Sequence, residues 1–256
     1  MPRYFLRLSF KGTAYHGWQA QPNATTVQKI VESALQILTG ETAGTTGAGR
    51  TDTGVHARYF ILHLDSIHPL FEDRPTLLYK LNSLLPEDIA VRDAYAVKPD
   101  VHARFSALSR TYEYRISRVK DPFDTDFSWY YGRELDTGAM NLAASALLDH
   151  HDFTSFSKLH SDVKTNICRV MQATWFEEGN KLIFRICADR FLRNMVRALA
   201  GTLIGVGLGR ISQEGFLRII EGRDRGLAGF SVPAKGLVLA DIDYPEGIKI
   251  QASPCE

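Results

Sequence analysis

Tyr4, Leu6, Leu8 and Phe10 fall on one face of a stretch whose other face is Phe5, Arg7 and Ser9, and this period of two predicts a strand. The next apolar series changes period. Val27, Ile30, Val31, Ala34, Leu35 and Leu38 recur at helical spacing, with Thr25 and Gln28 as a capping box and Gly40 as the stop. Between them lies a loop, residues 11–22, rich in glycine, aromatic and amide residues. A strand is predicted again at 60–65. Leu77, Leu81, Leu84 and Leu85 mark a helix ended by Pro86, and a strand follows at 89–97. Over 110–118, Tyr112, Tyr114 and Ile116 alternate with Thr111, Glu113 and Arg115, a strand presenting tyrosines on one face.

Residues 119–135 show no clear period and read as a bridge between two lobes. Asp136 then caps a helix whose apolar stripe is Met140, Ala143, Ala144 and Leu147. Strands at 167–175 and 181–188 pair around Glu178-Gly179-Asn180. Phe191, Met195, Leu199 and Leu203 predict a further helix, on which Arg193 and Arg197 sit one turn apart. A short helix near 214–221 and a strand at 237–242 complete the pattern. Strands interrupted by single helices, without regular βαβ alternation, predict an α+β fold with antiparallel pairing.

Composition narrows the function classes. With 256 residues, 45% hydrophobic and 23% charged, the chain reads as soluble and globular, as one large domain or two lobes. The first residues lack the pattern of a secretory signal, and no apolar run is long enough to span a bilayer, so a cytoplasmic location is expected. Cys168, Cys187 and Cys255 are odd in number and scattered, which suggests neither a disulfide framework nor a CxxC metal site. The eight histidines include the pair His150-His151 but no HExxH spacing, so no metal is expected. A formal charge of +1 says little about partners; the clusters Arg104, Arg110, Arg115, Arg118 and Arg190, Arg193, Arg197 read, by themselves, as solvated faces.

Chemistry concentrates in Gly49-Arg50-Thr51-Asp52-Thr53-Gly54-Val55-His56-Ala57, where a carboxylate and an arginine two residues apart are bracketed by glycines. By itself this is a plain turn in which Asp52 bonds its own backbone. Asp52-Thr53-Gly54 recurs as Asp136-Thr137-Gly138, and paired Asp-Thr-Gly triplets raise the rival reading of an aspartic protease. Against it, Asp136 opens a helical pattern, and Arg50 beside Asp52 opposes a shared proton.

The Asp52 stretch resembles the catalytic motif of the tRNA pseudouridine synthase A family, and further matches follow in order along nearly the whole chain. They are Lys11-Gly12, Tyr15, Gly17-Trp18-Gln19-Ala20-Gln21, Leu81-Asn82-Ser83-Leu84-Leu85-Pro86-Glu87-Asp88-Ile89, His102-Ala103-Arg104-Phe105-Ser106-Ala107, Arg110-Thr111-Tyr112-Glu113-Tyr114, Asp152-Phe153-Thr154-Ser155-Phe156, Asn194-Met195-Val196-Arg197, Gly236-Leu237-Val238-Leu239 and Asp243-Tyr244-Pro245. One departure is visible: family members usually carry a small residue and a glutamine where this chain has Arg58-Tyr59-Phe60.

The resemblance implies two similar α+β lobes, 1–107 and 108–256, sharing an extended antiparallel sheet flanked by helices, with a central active-site cleft and a homodimeric assembly. It implies conversion of uridine to pseudouridine in the anticodon stem-loop of tRNA, at positions 38, 39 and 40, with no cofactor. Asp52 matches the essential aspartate, as nucleophile or as base; Arg197 matches the arginine that pairs with it. Tyr112 matches the tyrosine lying against the target uracil, and Arg50 the residue that occupies the vacated space once the base is flipped. Arg104, Arg110, Lys158 and Lys164 are the candidates for phosphate contacts, with Phe105 beside Arg104 counted among the RNA-binding residues. His56 is left with packing or loop hydrogen bonding. A non-catalytic RNA-binding relative is the remaining reading; it needs none of Asp52, Arg197 and Tyr112.

Overall fold

The computed structural model describes residues 1–42, 44–158 and 165–250. Two compact units divide the chain: residues 1–108 with 241–256, and residues 109–240. Both are built mainly of antiparallel strands with helices between them, and the chain is α+β.

The first unit runs β1 (Arg3–Phe10), α1 (Val27–Thr39), β2 (Thr46–Gly47), β3 (His56–Asp65), α2 (Arg74–Leu84) and β4 (Ile89–Val97). β1 lies between β3 and β4, antiparallel to both, with Leu6 opposite Leu62 on one side and Ala94 on the other. The predicted apolar face of β1 is buried, with Tyr4 against Phe71 and Phe10 against Trp18 and Phe60. Phe5, on the opposite face, is buried as well, because residues 244–250 return alongside β4 and place Tyr244 on its ring. Lys98 N donates to Ile248 O (3.2 Å) and Ile250 N to Ala96 O (3.0 Å) along that return.

The helix at 27 starts one residue later than the capping box proposed. Thr26, not Thr25, is the N-cap, its hydroxyl accepting from Lys29 N. Gln28 instead spends its amide on long-range bonds, to Ala20 N (2.9 Å) and Thr45 O (2.9 Å). Gly40 ends the helix with φ 72° as expected. β3 begins at His56 rather than at residue 60, since Ala57 is already opposite Phe10.

The second unit runs β5 (Ser109–Ser117), β6 (Trp129–Tyr130), α3 (Thr137–Ser145), β7 (Val170–Glu178), β8 (Lys181–Ala188), α4 (Met195–Gly207) and α5 (Gln213–Glu221); β9 (Leu237–Asp243) carries the chain across the boundary back to the first unit. β8 pairs antiparallel with β5 and β7, and β6 adds a short parallel pair on β5. Residues 119–135 lie wholly inside this unit. Asp136 caps α3, accepting from Ala139 N at 2.8 Å, so the second Asp-Thr-Gly triplet is a helix start. Asn141 brackets the backbone of Trp175, donating to its carbonyl (2.9 Å) and accepting from its amide (2.7 Å), which pins α3 to β7. α4 is buried along almost its whole length. It starts at Met195, leaving Phe191 outside, because Asn194 adopts φ 67° and turns the chain into the helix.

Within the first basic cluster Arg115 is buried rather than solvated, whereas Arg104 is exposed. Glu113 is 5% exposed and accepts from Arg115 at 2.6 Å and from Arg185, directly across on β8, at 2.7 Å. Burial pushes the Glu113 carboxyl up, but the two guanidinium groups outweigh it and hold it below the usual carboxylate range.

Candidate active site

The Asp52 loop both leaves and rejoins the edge of β3. Ala48 N donates to Ile61 O (2.7 Å) just before it, and Val55 N donates to Asp52 O (3.1 Å) within it, closing a four-residue turn. Gly54 takes the third position with φ 79°, the left-handed conformation that a type II turn needs there. Thr51, Val55 and His56 are buried, Arg50 and Thr53 exposed, and Asp52 half-buried. The carboxylate is thus held at the rim of the unit on a turn whose neighbours are anchored beneath it.

The anchor is the loop 11–18, whose motif residues have individual tasks. Tyr15 O accepts from Gly54 N (3.2 Å), and His56 Nδ1 accepts from Gly12 N (3.0 Å). Gly12 lies so close to Val55 O, and Gly17 (φ 84°) to Thr51 O, that a side-chain carbon on either would overlap the backbone of the Asp52 loop. Tyr15 in turn donates its hydroxyl to Asp88 Oδ1 at 2.5 Å, while Lys11 N donates to Asp88 O at 2.8 Å. Burial, then the Asp88 carboxylate, pushes the Tyr15 hydroxyl well above the usual phenol range, so it stays a donor. Trp18 packs on Phe60 with ring centres 4.3 Å apart, under Gly47. His56 therefore has a defined role in loop hydrogen bonding. Near this loop, Arg58 is exposed, and Tyr59 lies under the Arg7 guanidinium at 5.5 Å.

The same unit carries Arg104 and Phe105, both exposed, on a turn that follows β4; Arg104 lies 5.5 Å over the Phe105 ring. In the second unit, Arg110 and Tyr112 sit near the start of β5, half-exposed, opposite Ala188 and Ile186. Arg110 donates to Asp189 O (2.8 Å), and Tyr112 meets the edge of Phe191 at 5.1 Å, so its ring direction is fixed from one side. Lys158 is exposed, with its backbone N donating to Arg193 O at 3.0 Å. Lys164 lies outside the described residues.

Arg197 stands in the first turn of α4 and is clasped by a strap, residues 229–232, that runs along the helix. Its Nε donates to Val232 O (2.7 Å), while its own carbonyl accepts from Val232 N (3.2 Å). The strap is tied at both ends: Gly229 N donates to Thr202 Oγ1 (2.9 Å), and Ser231 Oγ accepts from Asn194 Nδ2 (2.6 Å) and Arg225 (3.0 Å). Gly201 lets it approach, since a side-chain carbon there would overlap Phe230 O. Tyr114, fully buried below, donates to Pro233 O at 3.0 Å. Burial pushes its hydroxyl up, against the pull of the Arg197 charge. A guanidinium held through Nε by one carbonyl has its plane set, which suits a fixed pairing with a carboxylate.

The first unit thus gathers Asp52, Arg50, Arg104 and Phe105, and the second gathers Arg110, Tyr112, Lys158 and Arg197. The supporting residues Ser231, Arg225 and Val232 carry no local pattern of their own. Tyr15, Gly12, Gly17, Asp88 and Asn194 stand within motifs, but their tasks depend on contacts made far along the chain.

The sequence profile of a family described as tRNA pseudouridine synthase matches residues 8–106 and 143–245, which include Asp52 and Arg197 and leave Tyr112 between the two segments. The chain is 51% identical over 246 residues to the tRNA pseudouridine synthase A of Parabacteroides distasonis, covering 96% of this chain and 97% of that one. It is 48% identical over 251 residues to the protein of that name from Bacteroides thetaiotaomicron, covering 97% and 93%. With that from Clostridium acetobutylicum the identity is 39% over 241 residues, covering 93% and 98%. With its motif residues built into a rigid carboxylate loop and a clasped arginine, the chain belongs to the tRNA pseudouridine synthase family.

Proposed function

We propose that this protein is an isomerase that converts uridine to pseudouridine in tRNA, acting at positions 38, 39 and 40 of the anticodon stem-loop. The observation that carries the reading is the anchoring of Asp52: a half-buried carboxylate on a turn whose flanking backbone is fixed by Gly12, Tyr15, Gly17 and His56. In a family that isomerises a nucleoside, that is the group around which the chemistry is arranged.

The reaction breaks the bond between ribose C1′ and uracil N1, turns the base over and joins its C5 to the same carbon. Nothing is oxidised and no group is donated, so no cofactor is called for. Charge develops on the sugar and the departing uracil, and an ionised carboxylate beside C1′ meets that demand as nucleophile or as base. Preorganisation matters because each ångström of misplacement is costly in rate. Arg197, held by Val232, is the residue assigned as the partner of that carboxylate in the reaction. Tyr112 offers its face to the uracil, which must leave the stack first at a cost of a few kcal/mol. Arg50, exposed beside Asp52, fills the space left in the stem, while Arg104, Arg110 and Lys158 meet phosphates. A homodimer in the cytoplasm completes the reading. No helix among the described residues is long and apolar enough to cross a membrane. The hydrolase alternative loses its second carboxylate, since Asp136 is spent on capping α3.

Purified protein, given unmodified tRNA without added metal or nucleotide, is expected to form pseudouridine at these positions. Asp52→Asn is expected to abolish product while keeping most of the tRNA affinity, because it removes charge and preserves shape. Substantial single-turnover product from the variant would transfer the central role to another residue.

A further inference from the structure

The turn carrying Arg104 and Phe105 is held from beneath by two histidines that the catalytic reading does not use. His63 stands in β3 at 7% exposure, in a run that is otherwise apolar from Phe60 to Leu64. Its Nδ1 accepts from Ala103 N at 3.1 Å. Ala103 is fully buried, and its carbonyl accepts from the Tyr244 hydroxyl, so this one residue is fixed through both backbone groups. His102 completes the turn from within: its Nδ1 accepts from Arg104 N (3.0 Å) and Phe105 N (3.3 Å). Its own amide donates to Ser106 Oγ (2.9 Å).

The two imidazoles meet edge to face at 4.6 Å, and the Phe105 ring lies on His102 at 4.4 Å. Phe105 is nevertheless 76% exposed, and Arg104 stands over it. A ring and a guanidinium held side by side at the surface match a nucleotide, the ring taking the base face and the guanidinium a phosphate. The amides of Ala103, Arg104 and Phe105 all end on an imidazole Nδ1, and only the neutral ring offers a lone pair at that atom.

We propose that His63 and His102 are positioning residues for tRNA binding, acting as neutral acceptors that hold the Arg104–Phe105 turn ready for one nucleotide. The proposal rests on the reading of this protein as a tRNA-modifying enzyme. His63 touches no RNA; it sets the place of Ala103, and His102 sets the next two amides. Both act before chemistry, so their loss falls on affinity and leaves the rate at saturation alone.

The test is a double-mutant cycle on the full chain, with tRNA affinity measured by filter binding and single-turnover pseudouridine formation measured at saturating tRNA. His63→Leu is expected to weaken tRNA binding roughly tenfold to a hundredfold, the range a lost stacking and phosphate contact spans. The same loss is expected from the Arg104→Ala/Phe105→Ala pair, with little added when the changes are combined. His63→Asn, whose Oδ1 can replace Nδ1 as acceptor, is expected to recover most of the affinity. His102→Ala gives an independent arm at a less buried position. Unchanged affinity in both His63→Leu and His102→Ala, or losses that add fully to those of Arg104 and Phe105, overturns the proposal while leaving the enzyme reading intact. A parent protein that binds no tRNA overturns the enzyme reading and the proposal together.

Discussion

Gly201→Ala tests whether the strap over α4 serves Arg197 or merely fills space. In the interior of a helix this change ordinarily stabilises by about 1 kcal/mol, because alanine loses less backbone freedom than glycine. Here the added carbon would lie 1.8 Å from Phe230 O, where real side-chain carbons essentially never come within 3.0 Å. The strap must therefore retreat by roughly 1.2 Å or the helix must shift, at a cost of about 1–3 kcal/mol typical of overpacking. Retreat by that amount takes Val232 O, now 2.7 Å from Arg197 Nε, beyond hydrogen-bonding reach. The two contributions oppose, leaving a net destabilisation of about 0–2 kcal/mol. On the proposed role of Arg197 as the partner of Asp52, the rate is expected to fall on the order of a hundredfold, as for ångström-scale misplacements in an active site. Single-turnover pseudouridine formation at saturating tRNA, alongside a melting curve, measures both. Gly205→Ala in the same helix is the control, because its carbon meets no backbone but only the outer part of the Ile211 side chain, Cδ1 at 2.7 Å and Cγ1 at 3.3 Å. A Gly201→Ala protein with the parent's rate would refute the reasoning that the strap sets Arg197.

Two stability predictions follow from the buried histidines. His63 is pushed down to about 4 by burial, with the charges of Arg3 and His102 adding and Asp65 opposing, against about 6.5 when unfolded. The native state thus binds this proton less readily, and a contribution of at most about 3 kcal/mol, present above pH 6.5, is lost as pH falls toward 4. Urea unfolding of the parent and of His63→Asn across that range should show the parent falling more steeply; parallel curves would refute the assignment. His56→Leu leaves the buried Gly12 amide without its acceptor and is expected to cost about 1–3 kcal/mol, read as a lowered urea midpoint.

The elements were legible where a single period runs uninterrupted. β4 and β8 fall at the residues that alternation marks, and Asp136 and Gly40 begin and end helices as their chemistry dictates. Boundaries slipped where two residues of one type compete, as Thr25 and Thr26 do, or where a backbone kink at Asn194 interrupts an apolar stripe. Within the site, the motif marks Asp52 but not what holds it. Gly12 and Gly17 are needed for closeness to Val55 and Thr51, about forty residues away, and nothing local signals that. His63 did leave a trace, a polar residue in an otherwise buried strand run; its partner Ala103 gave none.

The return of residues 244–250 alongside β4 has a consequence for the order in which the protein is made. The first unit includes 1–108 but takes its last piece from 241 onward, so Phe5 waits for Tyr244 while residues 109–240 are synthesised. At typical elongation rates of about 5–20 residues per second, those roughly 130 residues take about 7–26 s. During that interval Phe5 lacks the ring that covers it in the finished fold. The second unit, contiguous in sequence, is under no such delay and can close first. On the ribosome, the part of the chain that emerges first is therefore the last to be finished.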